Sequence, residues 1–258
     1  MMNYKRNIAI VLSVVISPLT FAESVSSLTI GMGNTDYSLS VPSNNDPEFT
    51  STSWQDLNLS YVSRSISSGV FFSVDYRISQ SADHTTFYNT YDSDADDYGE
   101  KTASDLDDTR LSISFGNGPI YVGYLQYSTD IMAPEEQTSG FGSVTYDLKG
   151  FTAGLNFSSS LGSKGHVLQY GFGGLMAIAD LTQVNLTDDD DHYIVEYDSS
   201  FGYFYGVGVA GPIGTSGFAY SIKYEVQKIN FDAIYDDGAV ELDDERSRLS
   251  ASLTYVFL

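Results

Sequence analysis

The segment 248-RLSASLTYVFL-258 ends the sequence and decides the fold prediction. Apolar or aromatic residues recur at every second position from Leu249 onward, and Ser250, Ser252 and Thr254 lie between them. A period of two residues is typical of a β-strand whose two faces meet different surroundings. A soluble sheet and a barrel in lipid both fit this pattern, so the choice between them depends on the rest of the chain.

The first residues have the features of a secretory signal peptide. Two basic residues precede an apolar run at Ile8–Leu19, and a small-residue cleavage motif ends at Ala22. The apolar run is shorter than the roughly 20 residues that a membrane-spanning helix needs. We therefore expect a signal peptide over residues 1–22 and one domain over residues 23–258.

The composition excludes several classes of protein. The chain carries a formal net charge of −22, which repels nucleic acid because such binding needs Lys and Arg to neutralise phosphates. It contains no cysteine, so neither a disulfide framework nor a lipid-modified cysteine is expected. Its 20 tyrosines and 15 phenylalanines favour an ordered fold over a disordered acidic chain.

Strand-like alternation recurs along nearly the whole remaining sequence. The clearest segments besides the C-terminal one are Leu57–Tyr61, Val70–Ile78, Arg110–Phe115, Phe151–Ser158 and Phe218–Gln227. Weaker ones are Ser27–Tyr37, Tyr121–Ser128, Gly140–Leu148, His166–Phe172, Leu175–Val184 and Tyr193–Val209. These segments predict about 12 strands. The alternative is 10, an even number as well, if the stretch around Gly173 and Gly174 is one long strand.

The connections between the predicted strands alternate between short and long. The short ones are Ser65–Gly69, Gly116–Pro119, Asp147–Gly150 and Gly211–Gly217. The long, acidic ones are Ser40–Ser53, Ser81–Asp108, Thr129–Ser139, Asn185–His192 and Phe231–Glu245. This alternation predicts an all-β, antiparallel up-and-down transmembrane barrel with short periplasmic turns and long acidic outer loops. A closed barrel also pairs every backbone group within the membrane. We therefore expect the C-terminal strand to pair with the first strand near Leu28–Met32 and to direct its apolar face toward lipid. A soluble secreted β-sandwich is a further alternative.

The signal peptide, the alternating strands and the C-terminal strand together resemble the Gram-negative bacterial outer-membrane β-barrel proteins, a porin-like class. In that class the last strand ends on an aromatic residue, with hydrophobic residues at every second position before it. Leu253, Tyr255 and Phe257 match this pattern, and Leu258 follows them. The resemblance implies cleavage near Ala22, residence in the cell outer membrane, and contact with its lipid and lipopolysaccharide. It also implies escort by periplasmic chaperones and recognition of these three residues by the barrel-assembly machinery.

Charged residues of the predicted strands fall on the polar face, which is the face toward the lumen. They are Asp75, Arg77, Arg110, Lys223, Glu225, Arg246 and Arg248. Two interpretations stay open. The charges pair across a filled lumen and plug it, or they line a water-filled passage and set its selectivity. A 12-stranded barrel lies between the filled eight-stranded barrels and the open porins, so size does not decide.

The acidic residues concentrate in the predicted outer loops. Carboxylate oxygens are the ligands that Ca²⁺ and Mg²⁺ prefer, and the weak metal candidates are Asp92, Asp94, Asp96, Asp188 and Asp190. The run that starts at Asp92 does not complete an EF-hand, because Asp97 replaces the required Gly and Ala103 replaces the Glu. We expect no obligatory cofactor. Three roles stay open for these loops. They are solvated surface segments, they bind a divalent cation, or they concentrate cations at a pore mouth.

The sequence favours a protein that is not an enzyme. The histidines are His84, His166 and His192, and the first and last lie among acids where adjacency by chance is common. No serine lies in a GxSxG nucleophile elbow. The leading functional prediction is a small porin-like channel for passive passage of small solutes or ions. The alternative is a closed structural or surface-interaction barrel whose acidic loops bind divalent cations or an external partner.

Overall fold

The computed structural model of the protein describes residues 24–40, 50–79, 86–92, 97–103, 105–132, 141–185, 192–196, 200–235 and 238–257. Thirteen strands lie within them: β1 Ser24–Ser40, β2 Thr50–Ser65, β3 Val70–Ser79, β4 Thr86–Asp92, β5 Asp97–Ala103, β6 Asp105–Asn117, β7 Ile120–Met132, β8 Phe141–Leu161, β9 His166–Asn185, β10 His192–Glu196, β11 Ser200–Pro212, β12 Phe218–Tyr235 and β13 Gly238–Phe257. No helix long and apolar enough to cross a membrane occurs among these residues. The predicted signal peptide lies outside the described residues.

Ten of the strands close into an antiparallel barrel. The order around it is β1, β13, β12, β11, β9, β8, β7, β6, β3 and β2, and β2 pairs with β1 again. Closure leaves no strand of the ring with an unpaired edge. Outside the ring, β4 and β5 form a hairpin that extends from β2, and β10 pairs with β9. The prediction of an all-β up-and-down barrel is confirmed.

The C-terminal strand closes the barrel, as expected from its alternation. β13 pairs with β1 so that Tyr255 lies opposite Leu28 and Ala251 lies opposite Met32. Tyr255 and Phe257 stack on the outer surface with their ring centroids 6.1 Å apart. Ser250, Ser252 and Thr254 line the interior instead.

The barrel has ten strands, which is the alternative number that the sequence left open. In two places, two strands that were predicted separately form one continuous strand. From residue 141 onward, the predicted segment Gly140–Leu148 belongs to the same strand, β8, as Phe151–Ser158, so Asp147–Gly150 is not a turn. His166–Phe172 and Leu175–Val184 belong to β9, which runs straight through Gly173 and Gly174. Neither glycine therefore reverses the chain, and Gly173 allows close packing within the wall.

Gly173 provides a test of this packing, and its neighbour Gly174 provides the control. A Cβ atom at Gly173 would collide with the Phe204 ring and the carbonyl oxygen of Ala153, whereas the nearest atom at Gly174 is 3.8 Å away. We expect Gly173→Ala to lower the free energy of unfolding by about 1–3 kcal/mol, since overpacking strains the wall. Gly174→Ala should change it by less than about 1 kcal/mol. Urea unfolding of the detergent-folded barrel measures both, and equal effects would contradict this interpretation.

Short turns and longer connections lie at opposite ends of the barrel. The short turns cover residues 66–69, 118–119, 162–165 and 213–217, and all four contain glycine with positive φ, for example 60° at Gly118. Three of them match predicted turns, and the turn at 162–165 takes the place of the one expected at Asp147–Gly150. The first residue of β1 and the last residue of β13 lie at this same end.

A belt of apolar side chains surrounds the short-turn half of the barrel on its outer surface. We name it the apolar belt, and representative members are Leu28, Ile30, Met32, Phe115, Val122, Phe151, Phe172, Met176, Val207, Ile222, Leu249 and Leu253. All of these side chains are exposed; Phe151, for instance, is 69 % exposed. Soluble proteins rarely expose a continuous apolar surface of this kind, so the belt indicates contact with lipid.

The segment Phe231–Glu245, predicted to be a long loop, is mostly strand. β12 continues to Tyr235, β13 begins at Gly238, and Phe231 pairs with Leu242. On the outer surface beyond the belt, Lys228 Nζ lies 3.0 Å from a carboxylate oxygen of Asp243. That hydrogen bond raises the pKa of the Lys228 ammonium. Cross-strand pairs of this kind stabilise the extension despite its acidic composition.

Candidate functional site in the barrel lumen

The lumen contains a cavity of about 970 Å³ in the half nearer the short turns. The strand alternation directs polar side chains into it, because inward and outward positions alternate along every strand. All seven charged residues predicted to face the lumen line this cavity, and they are Asp75, Arg77, Arg110, Lys223, Glu225, Arg246 and Arg248. The site is therefore built from β3, β6, β12 and β13.

One ion network crosses the lumen from β3 to β12. Arg77 donates to Asp75 at 2.8 Å and to Glu225 at 3.0 Å, although Glu225 lies on the far strand β12. Lys223 donates to the other carboxylate oxygen of Glu225 at 2.8 Å. Arg248 Nη1 lies 3.6 Å from Glu225. The single carboxylate of Glu225 thus interacts with three cations and links two walls of the barrel.

A second, more buried network joins β13 to β2 and β1. Arg248 binds the carboxylate of Asp56 through Nε and Nη2, with Nε 2.9 Å from Oδ2. Thr35 donates to the same carboxylate at 2.8 Å, and the side chains of Arg248 and Asp56 are 7 % and 3 % exposed. Asp56 was missed in the sequence because the β2 pattern was traced only from Leu57. The signal was present, since Asp56 continues the polar face of Asn58 and Ser60.

A third network surrounds Arg246 where the cavity ends. Arg246 donates to Asp108 and to Thr129, each at 2.9 Å. Its guanidinium lies 3.9 Å from the ring centroid of Tyr127 and 4.8 Å from that of Tyr37. Arginine over an aromatic ring in a desolvated site is favourable by about 2 kcal/mol. This arrangement holds the guanidinium between β13 and the strands β6 and β7 on the far side of the ring.

A complete layer of buried side chains closes the lumen at this level. We name it the sealing layer, and each of the ten barrel strands contributes one inward residue: Tyr37, Trp54, Ser79, Asp108, Tyr127, Leu148, Ala177, Ser200, Ile229 and Arg246. All ten are at most 7 % exposed. Interiors packed in this way leave few gaps larger than a water molecule. Among the described residues, the lumen is consequently filled at this level, and the cavity extends from it to the short turn at Gly118 and Pro119.

Several residues of this region were assigned elsewhere by the sequence. Asp108 and Asp244 were expected in solvated outer loops, but both are buried inside the barrel at 6 % and 0 % exposure. Tyrosines of membrane strands are common at the lipid interface, but Tyr127 and Tyr146 face inward and pack with ring centroids 5.8 Å apart. The residue type alone fits the ring of aromatic side chains that surrounds a barrel at the membrane surface. The alternation of inward and outward positions along the strand instead places both tyrosines in the lumen.

The other predicted residues are placed as follows. Asp94, Asp96, Asp188, Asp190 and His84 lie outside the described residues. Asp92 ends β4 and His192 begins β10. His166, at the short-turn end, lies with Nδ1 3.2 Å from the hydroxyl of Tyr220. No cluster of three or more metal-ligating side chains occurs in the part of the chain that the structure describes.

Comparison with known proteins gives structural matches only. No protein-family model and no curated protein sequence matches the chain. The outer-membrane protease OmpT of Escherichia coli is 12 % identical and has a TM-score of 0.52, with 93 % of this chain and 99 % of OmpT covered. Neisserial surface protein A is 9 % identical with a TM-score of 0.36, covering 88 % of this chain and 96 % of that one. The Pseudomonas putida toluene transporter TodX is 10 % identical with a TM-score of 0.31, covering 95 % and 93 %.

The closed ten-stranded ring, the apolar belt, the alternating ends and the OmpT match agree with one another. The chain has the fold of the Gram-negative bacterial outer-membrane β-barrel proteins.

Proposed function

We propose that this protein is an integral barrel of the cell outer membrane that is closed across its lumen and anchors acidic loops at the cell surface. It acts through these surface loops and not through passage of solutes or through catalysis. The sealing layer is the observation that carries this proposal, since a passive channel requires a continuous water path.

The apolar belt supports residence in the outer membrane. Exposing these side chains to water instead of lipid would cost about 25 cal/mol per Å² of apolar surface. The charged side chains that line the cavity, such as Arg77, Arg110 and Arg248, point into the lumen, where they avoid the roughly 2–4 kcal/mol that Arg or Lys costs on the lipid face. Both features fit a barrel whose short-turn half lies in the bilayer.

The ion pairs formed by three lumen arginines support closure. Arg77, Arg246 and Arg248 are each engaged by at least one carboxylate within 3.0 Å. A passage for ions would leave such groups free to exchange partners with the solute, whereas here they connect opposite walls. The Arg246 guanidinium is in addition enclosed by aromatic rings.

A solute-flux measurement tests the closed barrel. Proteoliposomes that contain the folded wild-type chain, placed in isotonic sugar or amino-acid solution, are expected to swell no faster than liposomes without protein. Heat-modifiable gel mobility confirms that the barrel is folded in the same sample. A swelling rate that rises with the amount of protein would contradict the proposal.

The second candidate function is porin-like passage of small solutes or ions. The cavity favours it, because its 970 Å³ are lined by side chains of both charge signs and open at one end. This function requires the sealing layer to open, and rapid swelling of the wild-type proteoliposomes is the result it predicts.

The acidic loops are the part of the chain that we propose contacts divalent cations or an external partner. Asp92, Asp94 and Asp96 carry the densest negative charge in the longest loop. Replacing the three with asparagine is expected to abolish saturable Ca²⁺ binding measured by titration calorimetry, since carboxylates are the preferred ligands. The single variant Asp36→Asn, at an exposed position of β1, is the control. Unchanged binding in the triple variant would contradict a site in this loop.

A further inference from the structure

The cavity below the sealing layer carries an excess of positive charge. Its lining includes six basic residues, which are Arg64, Arg77, Arg110, Lys223, Arg246 and Arg248. The acidic residues of the lining are four, namely Asp56, Asp75, Asp108 and Glu225. The chain as a whole has a net charge of −22, so this cationic cavity is opposite in sign to the rest of the molecule.

Arg110 is the main source of the imbalance. It lies directly opposite Arg77 in the β3–β6 register, and like charges in that position repel. The two carboxylates nearby, Asp75 and Glu225, both bind Arg77. Within the described ranges Arg110 forms neither a hydrogen bond nor an ion pair, and its buried Nε has no partner. Arg110 is half-buried and shares its two nearby carboxylates with Arg77, so its charge is incompletely neutralised and a further anion would complete it.

Gln227 presents a second set of unused groups to the same space. It is 4 % exposed, lines the cavity, and neither its Nε2 nor its Oε1 has a hydrogen-bond partner. Its strand β12 is five strands from β6 in either direction around the ten-stranded ring, so Gln227 and Arg110 extend from opposite walls. Buried polar groups without a hydrogen-bond partner are rare in native structures, and these two lie on facing walls of one cavity.

We propose that the cavity binds a small oxyanion, the phosphate or carboxylate group of a small molecule, between Arg110 and Gln227. The guanidinium has only donors and matches the oxygens of either group in a bidentate manner. The amide of Gln227 donates a further hydrogen bond from the opposite wall. The ligand enters from the short-turn end, where the exposed Gly118 and Pro119 form part of the lining. The site goes beyond the closed barrel proposed above and would exist equally in a barrel that opens.

Nuclear magnetic resonance titration of the full-length mature chain, folded in a phosphorus-free detergent, tests this site. Inorganic phosphate observed by ³¹P and acetate observed by ¹³C are the two probes, and chloride keeps the ionic strength constant. Saturable broadening with either probe is expected for the wild type. Phosphate alone or acetate alone would identify which class of oxyanion the cavity prefers.

Two variants and one control make the assignment specific. Arg110→Gln is expected to weaken binding by at least about tenfold, because it removes a charge-assisted bidentate contact. Gln227→Leu should weaken it by about threefold, since a neutral hydrogen bond contributes less. Lys164→Gln removes one positive charge from the exposed turn at 162–165 and should leave binding unchanged.

The proposal is overturned if neither probe shows saturable binding to the wild type. It is also overturned if Arg110→Gln binds as tightly as the wild type, or if Lys164→Gln weakens binding to the same extent. Gel mobility checks the fold of each variant. If Arg110→Gln does not fold, Gln227→Leu decides: unchanged binding in that variant overturns the site, and weaker binding supports it.

Discussion

Replacing Asp56 with alanine is expected to lower the free energy of unfolding by about 3–5 kcal/mol, because it leaves a buried guanidinium without its partner. Asp56 and Arg248 are both nearly inaccessible, at 3 % and 7 % side-chain exposure. In the variant, the nearest carboxylate to Arg248 would be Glu225, 3.6 Å away and already bound to Arg77 and Lys223. The hydroxyl of Thr35 would lose its acceptor as well.

The chain contains a convenient probe for this measurement. Its single tryptophan, Trp54, is 1 % exposed and lies two residues from Asp56, so its fluorescence reports the loss of the sealing layer in urea. Asp36→Ala removes an exposed carboxylate from the neighbouring strand β1 and should change the stability by less than about 0.5 kcal/mol. Equal destabilisation by both variants would show that the Asp56–Arg248 pair has no special role.

Combining Arg246→Ala with Tyr127→Ala is expected to open the lumen to ions. The guanidinium carbon of Arg246 lies 3.9 Å from the centroid of the Tyr127 ring, and the two residues are 5 % and 1 % exposed. Their removal leaves Asp108 and Thr129 facing an enlarged polar space that water can fill. Discrete conductance steps in planar bilayers are the expected result.

Arg64→Ala is the matched control for this variant. Arg64 also lines the cavity, but it is exposed and contacts the Phe71 ring away from the sealing layer. It should leave the conductance of the wild type unchanged. A double variant that is folded by gel mobility yet silent would place the block elsewhere in the lumen.

The fold was predictable because its main signal has a period of two. Alternation in the last strand predicted both its outward face and its pairing with β1 near Leu28, and the structure shows that register. Alternating loop lengths predicted which ends of the strands lie together. The error in strand number came from Gly150 and Gly173, because local composition does not distinguish a turn glycine from one that lets two strands approach closely.

The candidate site was less predictable, because it depends on contacts between residues far apart in sequence. Arg246 and Arg248 fall at the polar positions of the last strand, and this alternation predicted that both face the lumen. Their partners Asp108 and Asp56 lay outside the segments that were predicted as strands. Acidic composition suggested a solvated loop for Asp108, whereas its guanidinium partner 138 residues away keeps it buried. Tyr127 shows the same limit, since an aromatic residue fits an interfacial girdle and a sealed lumen equally well until the neighbouring strands are known.

The conductance of the wild-type barrel in a planar bilayer tests the sealed lumen most directly. We expect the folded chain to insert without discrete current steps over the voltage range in which the Arg246→Ala, Tyr127→Ala variant conducts. Regular, reproducible current steps from the wild type under the same conditions would contradict it.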